Sequence, residues 1–507
     1  MRHRYLLVTL LVALLLLSAC GRRIEVTEDV RMSNGTYECT AYTDYGSLST
    51  AAIRPVRTLS ILVSDGGNFE NVIHQAADSM TESWIGEHYD FSLEVTVYNR
   101  LDFENNFNRL NTMLMAGQGY DMFFWAGHNL VHWARSGFLA NFYDLIDECP
   151  ITNRDDFFTQ VLKANEIDAG VYAFPLSFGF KYVFVNDNLP QSIVSEFIRH
   201  STITMRELMA LYIQLMYDYG NEFGHLSFAD GSFAFDPVAM ITAYMGGFVD
   251  FSARTVNLTS NDFISFLNDL TTAFPRWDAN AFASVNVTTM IKRPWMLQQT
   301  SKEYAFFAAY RFLDPMLAFT HPPYFVHGIP VTDNQGRLLI DQLSAGRPGS
   351  TWATVCIASA GDTALAWEFT RHLIQAFSQP TLRAQYRDGG MLNNSWGRYS
   401  LTTPIYRPLF HSHVSSAVDT VENILRVFGA VEDDLTDYQQ ADYCWQTIRQ
   451  LTLETIETFN EMPISLFNRH LPLPLFFNDI DLLMRGNTSP ENFAQTVQNR
   501  IRLWLIE

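Results

Sequence analysis

Apolar and polar positions over residues 58–125 switch repeatedly between two periods. Thr58-Leu-Ser-Ile-Leu-Val63 is short and apolar, as a buried strand requires, and the turn-forming run Ser64-Asp65-Gly66-Gly67-Asn68 follows it. Helical spacing holds over 69–87, and Leu93-Glu-Val-Thr-Val-Tyr98 alternates as a second strand. Residues 103–115 return to helical spacing and stop at Gly117, a residue suited to ending a helix. Tyr120-Asp-Met-Phe-Phe-Trp125 reads as a third strand. Strand, helix, strand, helix, strand at this spacing predicts a parallel, doubly wound sheet. Ligands of such sheets gather at the carboxyl ends of the strands, which puts 64–68 and 125–129 on a candidate binding edge.

Further along, the pattern predicts helices over 205–219, 261–274, 363–377 and 490–505. A hairpin is expected over 331–340, turning at Asp333-Asn-Gln-Gly336. No internal repeat or low-complexity tract interrupts the chain. At the start, Arg2 and Arg4 precede an apolar run over 6–17, and Leu17-Ser-Ala-Cys20-Gly21 follows. A basic start, a short apolar stretch and small residues read as a secretory signal over 1–19. The run is shorter than the roughly twenty residues a spanning helix needs. Leu-Ser-Ala-Cys looks like a bacterial lipobox, so Cys20 is expected to carry lipid, palmitate included. The protein would then sit on the outer face of the bacterial cytoplasmic membrane. Residues 21–57 lack a sustained period and read, with Cys20, as a flexible tether of roughly 35 Å reach.

At 507 residues the chain is long enough for two to four domains. Aromatic residues make up 14% of it, which raises the question of whether some rings face a ligand. A net charge of -20 would repel nucleic acid and anionic headgroups, so no nucleic-acid partner is expected and the membrane link should be the lipid. Cys39, Cys149, Cys356 and Cys444 are scattered, form no C-x-x-C pair, and read as buried small hydrophobes with at most one incidental bridge.

Motifs for chemistry are sparse. There is no phosphate loop, no G-x-S-x-G elbow and no H-E-x-x-H. His128 and His132 are spaced for one helical face but lack a third ligand nearby; His411 with His413, and His321 with His327, are weaker. The Asp333 run lacks the spaced acidic ligands of a calcium loop, so turn chemistry suffices. No stretch argues for the paired carboxylates of a glycosidase. No metal, cofactor or catalytic residue is expected.

Around Trp125 the chain resembles a known family. Tyr120-Asp-Met-Phe-Phe-Trp-Ala-Gly-His-Asn129, Ala134-Arg-Ser-Gly-Phe-Leu139 and Asp144-Leu-Ile146 resemble the "DIIFWA", "SGLL" and acidic-Leu segments of the family 1 extracellular solute-binding proteins. Gly170-Val-Tyr-Ala-Phe-Pro175 is similar to "GKLYAYP", and Val185-Asn186 with the Asp-Asn-Leu run to "YNKDLL". Gly246-Gly-Phe-Val-Asp250, Ala364-Leu-Ala-Trp-Glu-Phe369 and Arg485-Gly-Asn-Thr-Ser-Pro-Glu491 continue the likeness in order, over nearly all of 58–507.

The resemblance implies an α/β, two-lobed periplasmic-binding-protein-like fold of type II, with the ligand cleft between the lobes and three chain crossings. The first lobe would comprise 58–180 and 330–395, the second 183–328 and 397–507. A monomeric receptor of this kind captures carbohydrate, here expected to be an oligosaccharide, and docks on the permease subunits of an ABC importer. By motif, Trp125 matches a sugar-stacking tryptophan of maltodextrin-binding members, and Asp65, near Asn68, an acidic hydroxyl-binding position. His128 and Asn129 match an Asp-Arg pair there, keeping hydrogen bonding and losing both charges. Gly179 replaces a cleft glutamate, which argues against maltose itself. Tyr310 and Arg311 follow the strand over 304–309, and Trp352 precedes a strand over 353–358; both places lie near the cleft in the family. Trp295, Trp396 and Trp367 read as packing. The sugar reading agrees with elementary chemistry, since a sugar ring needs flat aromatics for its C–H faces and planar polar groups for its hydroxyls. Rival readings are a receptor for a non-sugar solute, a sensory receptor and a lipoprotein glycoside hydrolase.

Overall fold

The structure is a computed structural model. It describes residues 56–64, 69–83, 89–98, 103–124, 129–180, 182–185, 189–223, 227–230, 237–274, 304–309, 327–341, 354–378, 403–409, 463–466, 471 and 475–506. All belong to one compact unit, Asp44–Glu507.

In chain order the first part runs β1 (Val56–Ser64), α1 (Phe69–Thr81), β2 (Asp90–Tyr98), α2 (Phe103–Met115), β3 (Met122–Phe124), α3 (Leu130–Arg135), α4 (Phe142–Glu148) and α5 (Thr159–Ala164). Short strands follow: β4 (Glu166–Ile167), β5 (Gly170–Val171), β6 (Phe174–Pro175), β7 (Ser177–Phe180) and β8 (Tyr182–Val185). The middle holds α6 (Gln191–Ile198), β9 (Ile203–Thr204), α7 (Met205–Phe223), β10 (Ser227–Asp230), α8 (Pro237–Met245), β11 (Val249–Asp250), β12 (Thr255–Val256) and α9 (Asn261–Ala273). The last part holds β13 (Tyr304–Ala309), β14 (His327–Thr332), β15 (Leu338–Asp341), β16 (Thr354–Ile357), α10 (Thr363–Ser378), β17 (Thr403–Pro404), β18 (Ile464–Leu466), α11 (Phe477–Met484) and α12 (Pro490–Ile506).

Two main sheets result. The first has five strands in the order β2-β1-β3-β16-β6. β1 runs parallel to both β2 and β3, as the periodicity predicts, whereas β16 is antiparallel to β3 and to β6. Side chains alternate across this sheet. Leu62, Phe123 and Cys356 share one core with Leu110 and Leu114 of α2 and with Leu130, Val131 and Trp133 of α3. The second sheet has nine strands, ordered β10-β13-β8-β14-β15-β7-β17 with β18 and β9 beside β15 and β14. Its core packs α6 to α9, α11 and α12. The expected hairpin is β14 and β15, and Asp333 makes its turn by accepting from the amides of Gln335 and Arg337 at 2.9 Å each.

Local chemistry explains where the helices stop. α2 ends at Gly117, whose φ of 61° is left-handed, and the amide of Gln118 reaches back to the Met113 carbonyl at 3.0 Å. α3 ends the same way at Gly137, with Phe138 donating to the Trp133 carbonyl, so the Ser-Gly pair of the motif is a helix stop. α1 closes earlier than its spacing suggests, because the Ser83 hydroxyl takes up the Met80 carbonyl. Trp367 is buried against Phe142, Phe157 and Phe174, in the packing role expected of it. Cys149 and Cys356 are both buried, as small hydrophobes are.

Candidate functional site

Four strands of the first sheet end level with one another on one edge. β1 and β3 are parallel neighbours in the register Leu62 to Phe123, so Ser64 and Phe124 finish on the same side. β16 runs the other way with Val355 opposite Phe124, so its first residue, Thr354, lies on that side too. Thr354 in turn pairs with Pro175, the last residue of β6. Segments 65–68 and 125–128 therefore continue from this edge, and 353 leads into it.

The chain also leaves the first sheet here. Pro175 ends β6, and Ser177 begins β7 in the second sheet. Flanking β7 are β15 on one side and β17 on the other, so three widely separated stretches of chain run together at the junction. Beyond Lys181 the same line of chain becomes β8, whose first residue, Tyr182, is opposite both Ala309 of β13 and Pro330 of β14. Tyr310 and Arg311 thus continue from the β13 end that lies toward the junction.

Of the ligand-binding residues expected from sequence, Asn129 is described. It immediately precedes α3, is half-buried, and its backbone (φ -99°, ψ 4°) occupies the sparsely populated bridge region where active-site residues are often found. Its carbonyl accepts from the Trp133 amide at 2.9 Å, while its side chain makes no capping hydrogen bond. Asp65, Asn68, Trp125, His128, Tyr310, Arg311 and Trp352 lie outside the described residues, as do Cys20, Trp295 and Trp396.

Asp121, in the same motif as Trp125, has a different task. One carboxylate oxygen accepts from the amide and hydroxyl of Ser60 at 2.8 and 2.7 Å, and the other accepts from the Asp362 amide at 3.1 Å. It fastens β1, β3 and the start of α10 at the edge opposite the candidate site. The motif thus divides into a structural aspartate at one end of the strand and a candidate ligand residue at the other.

Charge is buried on the face carrying α1 and α10. Glu368 accepts from Arg371 at 2.7 Å and lies 3.6 Å from His372, which shares a hydrogen bond of 2.9 Å with Ser79 of α1. Burial alone would raise the Glu368 carboxyl, but the His372 and Arg371 interactions outweigh it and hold the group below the usual carboxylate range. Burial pushes the Cys356 thiol well up, so it is a poor nucleophile. Among the described residues no group of three or more His, Cys, Asp or Glu side chains is arranged to hold a metal, and no helix is long and apolar enough to cross a membrane.

No family model and no curated protein matches the sequence. Solved structures do match the architecture: the chain has the two-lobed α/β fold of periplasmic sugar-binding proteins. A putative oligosaccharide periplasmic-binding protein from Synechococcus sp. MITs9220 is 13% identical, with a TM-score of 0.53 over 88% of this chain and 98% of that one. The sugar-binding protein MalE from Xanthomonas citri is 14% identical, with a TM-score of 0.51 over 89% of this chain and 98% of that one. Both are binding proteins by description.

Proposed function

We propose that the protein is the receptor of an ABC importer, capturing a carbohydrate without changing it. The observation that carries this reading is the shared edge. Strand ends leading to Asp65, Trp125 and Trp352 finish level, beside the point where the chain passes into the second sheet. A ring, a carboxylate and planar amides delivered to one edge suit a sugar, which offers apolar C–H faces and a rim of hydroxyls. Tyr310 and Arg311, arriving from the second sheet, would close on the ligand from the other side. The lobes in this reading are 58–180 with 330–395, and 183–328 with 397–507. The β15, β7 and β17 strands serve as the hinge between them. An oligosaccharide is the favoured class, in keeping with the descriptions of the Synechococcus relative as oligosaccharide-binding and of the Xanthomonas relative as sugar-binding.

A thermal-shift screen over a carbohydrate panel tests this directly. The correct sugar should raise the melting temperature, since at one hundred times its Kd it adds about 2.7 kcal/mol of stabilisation. Small-angle scattering with that sugar should show a smaller radius of gyration, since a ligand touching both lobes favours the closed state. Silence across the panel would turn the reading toward a non-sugar solute, and release of shorter sugars would turn it toward hydrolysis.

The lipid anchor on Cys20 belongs to the same proposal. A Cys20→Ser variant should move from the membrane pellet to the soluble fraction, because several acyl chains hold firmly where one binds marginally. A variant that still pelleted would remove the lipobox reading.

A further inference from the structure

Among the described residues, Phe251 and Trp504 lie at the margin of both apolar cores. They meet edge to face with ring centroids 6.2 Å apart. Arg135, the last residue of α3, passes through the same junction. Its Nε and Nη2 donate to the Asp168 carboxylate at 2.8 and 3.2 Å. Its Nη1 donates to the Leu505 carbonyl at 3.0 Å, and Nη2 to the Phe251 carbonyl at 2.6 Å. The Arg135 side chain is only 15% exposed, and its two bonds to carbonyls are partly buried, whereas the Asp168 carboxylate meets solvent.

Every part of this contact is well held. Asp168 sits in the β4–β5 turn, where it and Ala169 both take positive φ values. Asn141 fastens that turn to α4 by accepting from the Val171 amide at 3.0 Å. Leu505 lies in the last turn of α12, where a cation meets carbonyls that no helical amide satisfies. A planar guanidinium can serve a carboxylate and two carbonyls at once; a lysine ammonium cannot do so in the same geometry. The sheet pairing does not require this contact, since the sheets are already joined through β7.

We infer that Arg135, with Phe251 and Trp504, is a clasp between the two bodies that restricts how widely they sample other orientations before ligand arrives. The inference rests on the hinged reading above, and its test needs no ligand. Spin labels at His74 on α1 and Tyr217 on α7, both exposed, would report the distance between the bodies in the full chain, with Cys20, Cys39 and Cys444 replaced by serine. Arg135→Gln should widen the distance distribution about twofold, and Arg135→Lys should widen it less. Should Arg135→Gln fail to fold, the lysine variant decides alone. A second pair at Tyr217 and Arg502, both on the second body, should stay as sharp as in the wild type. Unchanged His74–Tyr217 distributions would overturn the clasp. So would broadening confined to the Tyr217–Arg502 pair, since Arg135 would then only anchor the end of α12. Failure to bind any sugar would count against the receptor reading and leave these ligand-free distances untouched.

Discussion

Trp125→Ala is expected to weaken carbohydrate binding at least about tenfold while leaving the melting temperature nearly unchanged. Stacking is worth about 0.5–1.5 kcal/mol beyond burial, and covering apolar area adds about 25 cal/mol per Å². Together they exceed the roughly 1.4 kcal/mol that makes a factor of ten. The strand that delivers the residue is secured elsewhere, by Phe123 in the core and by Asp121 at the opposite edge. Trp367 supplies the contrast. It is packed against three phenylalanines, so its truncation should cost about 3–5 kcal/mol of stability and leave affinity alone. Ligand titration followed by tryptophan fluorescence, with melting curves for both variants, separates the two roles. A large drop in melting temperature with unchanged affinity would make Trp125 a core residue.

Glu368→Gln should destabilise the protein by about 3–5 kcal/mol, the usual cost of removing one member of a buried ion pair. The change takes from the buried Arg371 the carboxylate that now accepts its hydrogen bond at 2.7 Å. Acid should reproduce part of this loss in the wild type. The Glu368 carboxyl is more acidic in the folded protein than in the unfolded chain. Its stabilisation is therefore complete above the unfolded value of about 4.3 and is lost as pH falls through the lower native value. Urea unfolding at a series of pH values should show a wild-type decline below pH 4.3 that is shallower in the variant. Parallel curves would mean that other carboxylates govern acid unfolding.

Local pattern made much of the first sheet legible. β1, β2 and the helix Phe103–Met115 follow from spacing and turn residues alone, and their parallel order follows from their alternation with helices. α7 runs past its expected end to Phe223, through non-helical backbone at Tyr219. Two-residue strands such as β9 and β17 hold no period to read. The antiparallel place of β16 depends on partners far away in the chain, which no window of neighbouring residues contains. Arg135 shows the same limit: its carbonyl partners are 116 and 370 residues distant, so nothing near it in sequence marks its role. The candidate site was legible as strand ends, because a turn after a parallel strand can be read locally. That Tyr310 and Arg311 would meet them from the other lobe could be read only through the family resemblance.

The position of β16 also governs the order in which the molecule can assemble. It lies between β3 and β6, so the first sheet is missing an inner strand until residues 354–357 have been made. A growing chain that has reached residue 330 holds β1, β2, β3 and β6 yet lacks the strand that pairs the last with β3. Cooperative closure of that sheet must await a segment from far downstream, and contacts of such long range form slowly. The first sheet is consequently expected to complete its pairing later than a sheet built from consecutive segments would.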